Sequence, residues 1–166
     1  MGRLFNEEVA NQLESKFGNK VTLLTETSDL PNYEVSREDV IEVLNYLKSS
    51  PLQFNFLTDI TAVHYPESEK KFAVVYHLHS FTNNIRIRLK VFLDGEDLHI
   101  PTATTIWDGA NWMERETYDY FGIEFDNHPD LRRILNVDDM TVFPMRKEFP
   151  LEDPNRVDKK DYFFGR

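Results

Sequence analysis

The run at positions 85–93 constrains the fold most, because apolar and basic residues alternate along most of it. Every odd position in this run is apolar, and the basic residues between them are Arg86, Arg88 and Lys90. A period of two residues predicts a β-strand with one buried face. Two more strands are predicted just before it, at residues 54–65 and 72–81. The three strands predict an antiparallel unit with a buried face and, near its edge, a basic face.

Two segments before these strands have helical periodicity. Residues 6–17 carry an apolar stripe, with Asn6 placed to cap the start of the helix. Residues 37–49 carry a second stripe, and Ser36 and Asp39 at its start resemble a capping box. A short strand is predicted between the two helices, at residues 21–25.

A third helix is predicted at residues 110–121, ending on Gly122, a residue suited to a left-handed cap. A short strand at 98–101 precedes it. The elements together predict an α+β fold of two layers, with helices packed on one face of a mostly antiparallel mixed sheet. We assign residues 1–125 to this core domain.

Residues 126–166 show no sustained periodicity, and four prolines interrupt them. We expect an extended C-terminal arm with at most a turn of helix near Leu131. Basic residues of the arm lie among apolar ones, a composition typical of a segment that docks on a partner. These basic residues are Arg132, Arg133, Arg146 and Lys147. Because the arm has no core pattern of its own, we expect it to be ordered by a partner.

Composition excludes several classes of function. The chain has no cysteine, so it holds no disulfide and no cysteine-ligated zinc or iron–sulfur cluster. Its net charge of -10 and the lack of a basic stripe argue against nucleic-acid binding. No glycine-rich phosphate loop, nucleophile elbow or metalloprotease motif occurs in the sequence. The composition therefore favours a binding module.

Some titratable residues nevertheless allow a chemical interpretation. Glu114 and Glu116 point about 200° apart on a helix, so an ion network is favoured over a catalytic pair. Arg115 lies four residues before Asp119, which predicts a local salt bridge. His77 and His79 share one face of a strand, a spacing that can seat a metal, although half-buried structural histidines are favoured. His128 starts a turn and stays open as an acid–base candidate.

Two motifs resemble a known family. The run from Trp112 to Ile123 contains Glu-Arg-Glu and ends in Tyr-Phe-Gly-Ile, and the run from His128 to Leu135 reads His-Pro-Asp-Leu-Arg-Arg-Ile-Leu. Both closely resemble the hallmark of the C subunit of NADH:quinone oxidoreductase, respiratory complex I. Residues 57–63 and 100–102 resemble further positions of that family. The resemblance covers residues 37–154.

The resemblance implies a non-redox structural subunit in the peripheral arm of a proton-translocating complex. It implies an enzyme subunit without its own catalytic centre, with NADH, FMN, iron–sulfur clusters and quinone bound by other subunits. The expected partners are the D subunit, which forms the quinone site, and other peripheral-arm subunits. The expected location is the cytoplasmic face of the bacterial inner membrane, reached only through the complex. No catalytic, cofactor or metal residue is expected in this chain.

The expected subunit-interface residues follow from the two motifs and the basic arm. They are Trp112, Glu114, Arg115, Glu116, Asp119, His128, Asp130, Arg132, Arg133, Pro144, Arg146 and Lys147. The alternative is an equivalent subunit of a related membrane-bound hydrogenase or of a ferredoxin- or F420-linked dehydrogenase. A small stand-alone enzyme using Glu116 and His128 is the alternative from another class.

The sequence departs from the family pattern at a few positions. Asn127 stands where the family usually has glycine, and asparagine tolerates the left-handed turn expected there. His64 stands where the family often has aspartate. Residues 140–143 replace a common Trp-x-Gly-His segment. These departures change local contacts within the pattern of the family.

Overall fold

We analysed a computed structural model that describes residues 2–24 and 30–149, with side chains described from residue 6 onward. These residues form three helices and seven strands, together with a single 3₁₀ turn at Gly18–Lys20. The elements are α1 (Gly2–Phe17), β1 (Val21–Leu24), β2 (Asn32–Val35), α2 (Val40–Ser49), β3 (Phe56–His64), β4 (Phe72–Ser80), β5 (Ile85–Leu93), β6 (His99–Pro101), α3 (Ala110–Phe121) and β7 (Glu124–Asp126).

Five of the strands form one mixed sheet in the order β1-β2-β5-β4-β3. Strands β3, β4 and β5 pair antiparallel, with Asp59 opposite His77 and His77 opposite Arg88. Strand β2 joins the other side of β5 in parallel and pairs antiparallel with β1. The remaining two strands, β6 and β7, form a separate parallel pair.

The core lies on one face of this sheet. Alternate residues of β3, β4 and β5 belong to the same buried cluster as the apolar stripes of α1 and α2. Leu13 and Leu44 represent the two helices in this cluster, and Tyr76 and Leu89 represent the strands. The period-two and helical patterns thus bury their apolar sides against each other, as expected for a two-layer fold.

Helix α3 lies along β3, one of the two edge strands of the sheet. The Thr117 hydroxyl donates a hydrogen bond to the Ile60 carbonyl at 3.2 Å. The Trp107 indole N–H donates to the Asn55 carbonyl, just before β3, at 3.3 Å. An uncovered edge strand exposes unpaired backbone groups that invite aggregation. Because α3 contacts this edge, the helix both protects the sheet and is fixed in place by it.

The structure confirms the predicted α+β class and most element positions. The third helix runs from Ala110 to Phe121 and ends on Gly122 in the left-handed region, as predicted. Asn127 also adopts a positive φ, of 64°, so the expected left-handed turn is present. Residues 127–149 contain no helix or strand. The boundary between residues 125 and 126 stays a prediction, and β7 spans it.

Several local predictions were wrong. Helix α1 begins at Gly2, so Asn6 is inside the helix and does not cap it. Helix α2 begins at Val40, and the Ser36 hydroxyl bonds the Asp39 carboxylate at 2.6 Å instead of forming a capping box. The strands β2 and β7 were missed, since three or four residues are too few to show a period. Their pairing partners are distant in sequence.

The basic strand β5 is not near the edge of the sheet. It lies between β2 and β4, in the middle of the five strands. The missed strand β2 explains the error, because it extends the sheet beyond β5. Arg88 uses this position to donate to His77 at 2.8 Å and to Asn32 at 3.1 Å. His77 and His79 share a face, as predicted.

The end of α3 depends on Gly122 for two reasons. Its φ of 72° is costly for any residue with a side chain. In addition, a Cβ atom at this position would lie 2.5 Å from the Phe143 ring and 2.6 Å from the Arg146 guanidinium. Both neighbours belong to the arm, so the missing side chain leaves room for the arm to pack on the helix end.

We predict that Gly122→Ala destabilises the chain more than Gly18→Ala. Gly18 also has a positive φ, of 54°, but nothing lies within 4 Å of a Cβ placed there. The backbone strain of about 1–2 kcal/mol is common to both variants, and only Gly122→Ala displaces the arm. Urea unfolding should show an additional loss of about 1–3 kcal/mol, typical of overpacking. Equal losses in the two variants would contradict this packing.

Candidate functional site

The Asp119 carboxylate on α3 organises the first half of the arm. Its side chain is fully buried, and its Oδ2 accepts hydrogen bonds from the backbone amides of Ile134, Leu135 and Asn136 at 2.8–3.1 Å. The Asn136 side-chain amide donates to Oδ1 at 3.1 Å. Three consecutive amides therefore converge on one oxygen, which fixes the backbone of the Arg-Arg-Ile-Leu motif.

Arg133 neutralises this buried carboxylate. Its Nη1 donates to Asp119 Oδ1 at 2.7 Å, and the side chain is only 9% exposed. Its Nη2 donates to the carbonyls of Met140 and Val142 further along the arm. Burial alone would raise the pKa of Asp119, but the amides of Asn136 and Leu135 together with Arg133 lower it below its ordinary range. The carboxylate is therefore charged at neutral pH and fully paired.

The arm also satisfies the last carbonyls of α3. Arg133 donates to the Asp119 carbonyl, the Met145 amide to the Tyr120 carbonyl, and Arg146 Nε to the Phe121 carbonyl. Carbonyls at a helix C-terminus lack partners within the helix and carry partial negative charge. Two arginines at this end therefore provide both the missing donors and a favourable charge. Arg146 also lies over the rings of Phe72 and Phe143.

Arg115 binds the arm from the middle of the helix. Its Nε donates to the Arg132 carbonyl at 3.2 Å, and its Nη2 donates to the Arg133 carbonyl at 3.1 Å. The predicted salt bridge between Arg115 and Asp119 is therefore wrong. Both side chains instead contact the Arg-Arg-Ile-Leu motif, which the helical spacing alone could not indicate.

A second buried carboxyl, that of Glu114, lies on another side of α3. It accepts hydrogen bonds from the Thr102 hydroxyl and the Ala103 amide, both at 2.6 Å. His128 Nε2 lies 4.0 Å from Glu114 Oε2 and 3.1 Å from the Asn111 carbonyl. Burial raises the pKa of Glu114 to about 7, although the two hydrogen bonds lower it.

The hydrogen bonds of His128 identify its tautomer. Nδ1 accepts a hydrogen bond from the Asp130 amide at 3.0 Å, so the proton of the neutral ring is on Nε2. That N–H points to the Asn111 carbonyl. The ring joins the start of the arm to the start of α3. Both ring nitrogens of His128 therefore make structural contacts. These contacts give no support to the candidate acid–base role.

Some of the predicted interface residues lie in the interior of the chain, and others lie on its surface. Four side chains lie inside the chain and bind its own groups: Glu114, Asp119, His128 and Arg133. Their interface role stays a prediction. Three are partly buried against the core or the arm: Arg115, Pro144 and Arg146. Five are exposed, and their interface role stays a prediction: Trp112, Glu116, Asp130, Arg132 and Lys147.

Sequence reasoning missed several contacts that hold α3 and the arm in place. Thr102, Asn136 and Gly122 provide contacts described above, and His64 accepts a hydrogen bond from the Lys147 amide at 2.9 Å. These residues lie up to 83 positions from their partners. Only Gly122 carried a local signal, as a helix cap. Residues 127–149 of the arm are therefore anchored on the chain's own core, which the sequence did not predict.

The described part of the chain contains no cluster of three or more histidine, aspartate or glutamate side chains placed to hold a metal ion. His77, half of the metal candidate pair, accepts a hydrogen bond from Arg88 and lies 3.7 Å from Asp59. Among the helices of residues 2–24 and 30–149, none is both long and apolar enough to cross a membrane.

The family model for the 30 kDa subunit of respiratory-chain NADH dehydrogenase matches residues 33–155. The chain belongs to this family. The match includes the whole of α3 and the described arm, which are the elements that build the site. Both α3 and the described arm therefore belong to the region that the family model matches.

Two relatives in the 30 kDa subunit family are similar to this chain over nearly their whole length. The C subunit of the NADH-quinone oxidoreductase of Citrifermentans bemidjiense is 44% identical over 91% of this chain and 93% of its own length. The corresponding C subunit of Geobacter sulfurreducens is 43% identical over the same shares of the two chains.

Two solved structures share the fold. A trypsin-resistant fragment of Nqo5 is 32% identical with a TM-score of 0.67, covering 76% of this chain and 98% of that chain. A chain of the membrane-bound sulfane sulfur reductase, an archaeal respiratory membrane complex, has a TM-score of 0.77 over 98% of each chain. That second chain is 23% identical, so it shows the fold alone.

We predict that Glu114 makes the chain less stable as pH rises from about 4.5 to about 7. The folded state binds this proton more tightly than the unfolded state, so raising the pH through that window disfavours folding, by about 3 kcal/mol in total. Glu114→Gln should abolish this contribution, since glutamine keeps an acceptor for Ala103 and does not titrate.

Urea unfolding of the wild type and the variant across this pH range measures the difference. Glu116→Gln, at an exposed position of the same helix, is the matched control and should keep the wild-type pH dependence. Identical pH dependence in Glu114→Gln and the wild type would contradict the prediction.

Proposed function

We propose that this chain is a non-redox structural subunit in the peripheral arm of a proton-translocating NADH:quinone oxidoreductase. In this role it binds and stabilises the D subunit, which forms the quinone site. NADH, FMN, iron–sulfur clusters and quinone are then held by other subunits, and the chain has no catalytic centre. Its location is the cytoplasmic face of the bacterial cell membrane, reached through the complex. The family membership and the names of the relatives support this assignment.

One observation carries the proposal. Nine large apolar side chains are exposed among the described residues, and five of them lie between residues 135 and 149. We call these five the arm apolar surface: Leu135, Val137, Val142, Met145 and Phe149. Concentrated exposure of apolar side chains is typical of protein–protein contacts. A partner that covers this surface would remove it from water.

The arm apolar surface is presented on a fixed backbone. Leu135 is 61% exposed while its own amide is bonded to the buried Asp119 carboxylate. Met145 is 54% exposed while its amide is bonded to the end of α3. Binding is stronger when the ordering of a segment has already taken place in the free protein. The anchored backbone with outward apolar side chains therefore supports a docking role for the arm.

The chemistry of the site supports a structural role as well. Glu114 and Asp119 direct their oxygens to donors of the chain itself, and His128 uses both ring nitrogens in backbone contacts. Groups that are occupied in this way serve to hold three segments together. The residues left for a partner are the exposed ones, including Trp112, Glu116 and Arg132.

We predict that Leu135→Asp combined with Val137→Asp strongly weakens the binding of the D subunit without unfolding the chain. Both side chains are more than 60% exposed, so a charge there leaves the core intact but meets a desolvated surface in the complex. A tagged pull-down from gently solubilised membranes should recover the D subunit and the NADH-oxidising subunits with the wild type. Recovery with the double variant should fall at least about tenfold, the factor that 1.4 kcal/mol produces.

Leu23→Asp is the matched control, because Leu23 is 50% exposed but lies on β1, away from the arm. It should recover the D subunit as well as the wild type does. Equal recovery with the double variant would contradict the docking role of the arm apolar surface. Recovery of a hydrogenase large subunit by the wild type would favour the related complexes, and recovery of the chain alone would contradict the structural-subunit assignment.

A further inference from the structure

His64 contacts the end of the arm in a way that depends on its protonation state. Its side chain is 5% exposed, and its ring is stacked on Phe72 at 4.4 Å with the planes 7° apart. The backbone amide of Lys147 donates to His64 Nδ1 at 2.9 Å. A ring nitrogen can accept a hydrogen bond only while it carries no proton. The contact therefore exists only with the neutral ring.

A second acceptor is placed to take over when the ring is protonated. Glu148 Oε2 lies 3.8 Å from the same Nδ1 atom, and its side chain is about half exposed. A protonated Nδ1 would repel the Lys147 N–H and attract the Glu148 carboxylate. One atom of His64 thus has two alternative partners, on adjacent residues of the arm.

The charges around His64 favour the neutral ring at ordinary pH. Burial lowers its pKa most, Arg146, Lys71 and Lys147 lower it further, and Glu148 opposes them. Phe72, which covers the ring face, and Phe143, which packs with Arg146, carry no charge. The neutral state and its hydrogen bond are therefore fully present above pH 6.5 and are lost as pH falls below that value.

We propose that the hydrogen bond between the Lys147 amide and His64 attaches residues 147–149 to the core in a pH-dependent way. The bond forms with the neutral ring and is released when the ring takes up a proton. Residues before this point keep separate anchors, since the Met145 amide bonds Tyr120 and Arg146 bonds Phe121. Release is therefore confined to the end of the described arm. Phe149, a member of the arm apolar surface, lies in the released part. The inference is independent of which partner covers that surface.

Amide hydrogen exchange of the full chain tests the proposal. The protection of the Lys147 amide, corrected for intrinsic exchange, should fall by up to about tenfold for each pH unit below 6.5. The Met145 amide is the internal control, because its acceptor does not titrate, and its protection should not fall as the pH is lowered. Protection of Lys147 that is constant from pH 7.5 to pH 5 would overturn the proposal.

His64→Asn is the matched variant. Asparagine places its Oδ1 acceptor the same number of bonds from the backbone as Nδ1, and it does not titrate. It loses the stacked ring, so protection of Lys147 is lower throughout but should not change with pH. In a chain that keeps His64, Glu148→Gln should shift the pH at which Lys147 protection is lost to a lower value. A wild-type pH slope in His64→Asn, or a shift to higher pH in Glu148→Gln, would overturn the proposal.

If His64→Asn does not fold, the wild-type imidazole provides a second readout. Ring nitrogen chemical shifts should report an unprotonated Nδ1 at pH 7.5 and its protonation at lower pH. The midpoint of that change should coincide with the midpoint at which Lys147 protection is lost. Two clearly separate midpoints would overturn the proposal.

Discussion

The buried Asp119 carboxylate is the interaction on which the arrangement of helix and arm depends. Removing a carboxylate from water is costly unless charge and hydrogen bonds compensate for it. Here Arg133 and the amides of residues 134–136 provide that compensation. Because none of these donors belongs to α3, the helix cannot bury Asp119 without the arm. The charge therefore forces the two segments to fold together.

This coupling places the exposed apolar side chains of the arm in a defined position. The same residues that satisfy Asp119 leave Leu135 and Val137 directed outward, and Arg146 holds the next part of the arm against the end of α3. The proposed docking role is favoured by a surface that is exposed yet ordered before a partner binds. In this chain buried polar contacts order the arm, and apolar side chains form its exposed surface. An ordinary core has the opposite arrangement, with apolar side chains inside and polar groups outside.

Features that depend on neighbouring residues were predictable from the sequence, whereas features that depend on residues far apart in the chain were not. The period of β5 and the capped end of α3 at Gly122 were predictable, because each depends on neighbours within a few residues. The pairing of Arg133 with Asp119 was not, since a helical spacing suggested Arg115 as the nearer partner. The strand β2 was missed because four residues show no period and its partner is β5, far along the chain.

The family resemblance pointed to residues of α3 and of the arm but could not distinguish their environments. Arg132 and Arg133 are adjacent and chemically identical, yet one is mostly exposed and the other is buried against Asp119. Burial of that kind depends on which way the arm turns after Asn127, whose left-handed conformation was expected because the family usually has glycine there. The fold and the motif were therefore accessible from the sequence, and the division into interior and surface residues was not.

Native-state hydrogen exchange of the isolated chain tests the central claim most directly. The amides of Ile134, Leu135 and Asn136 all donate to Asp119. If the arm is part of the folded core, these amides exchange only through large-scale unfolding, with protection close to that of β4 and β5. Exchange near the rate of an unfolded peptide, with β4 and β5 still protected, would show that the arm is ordered only by its partner.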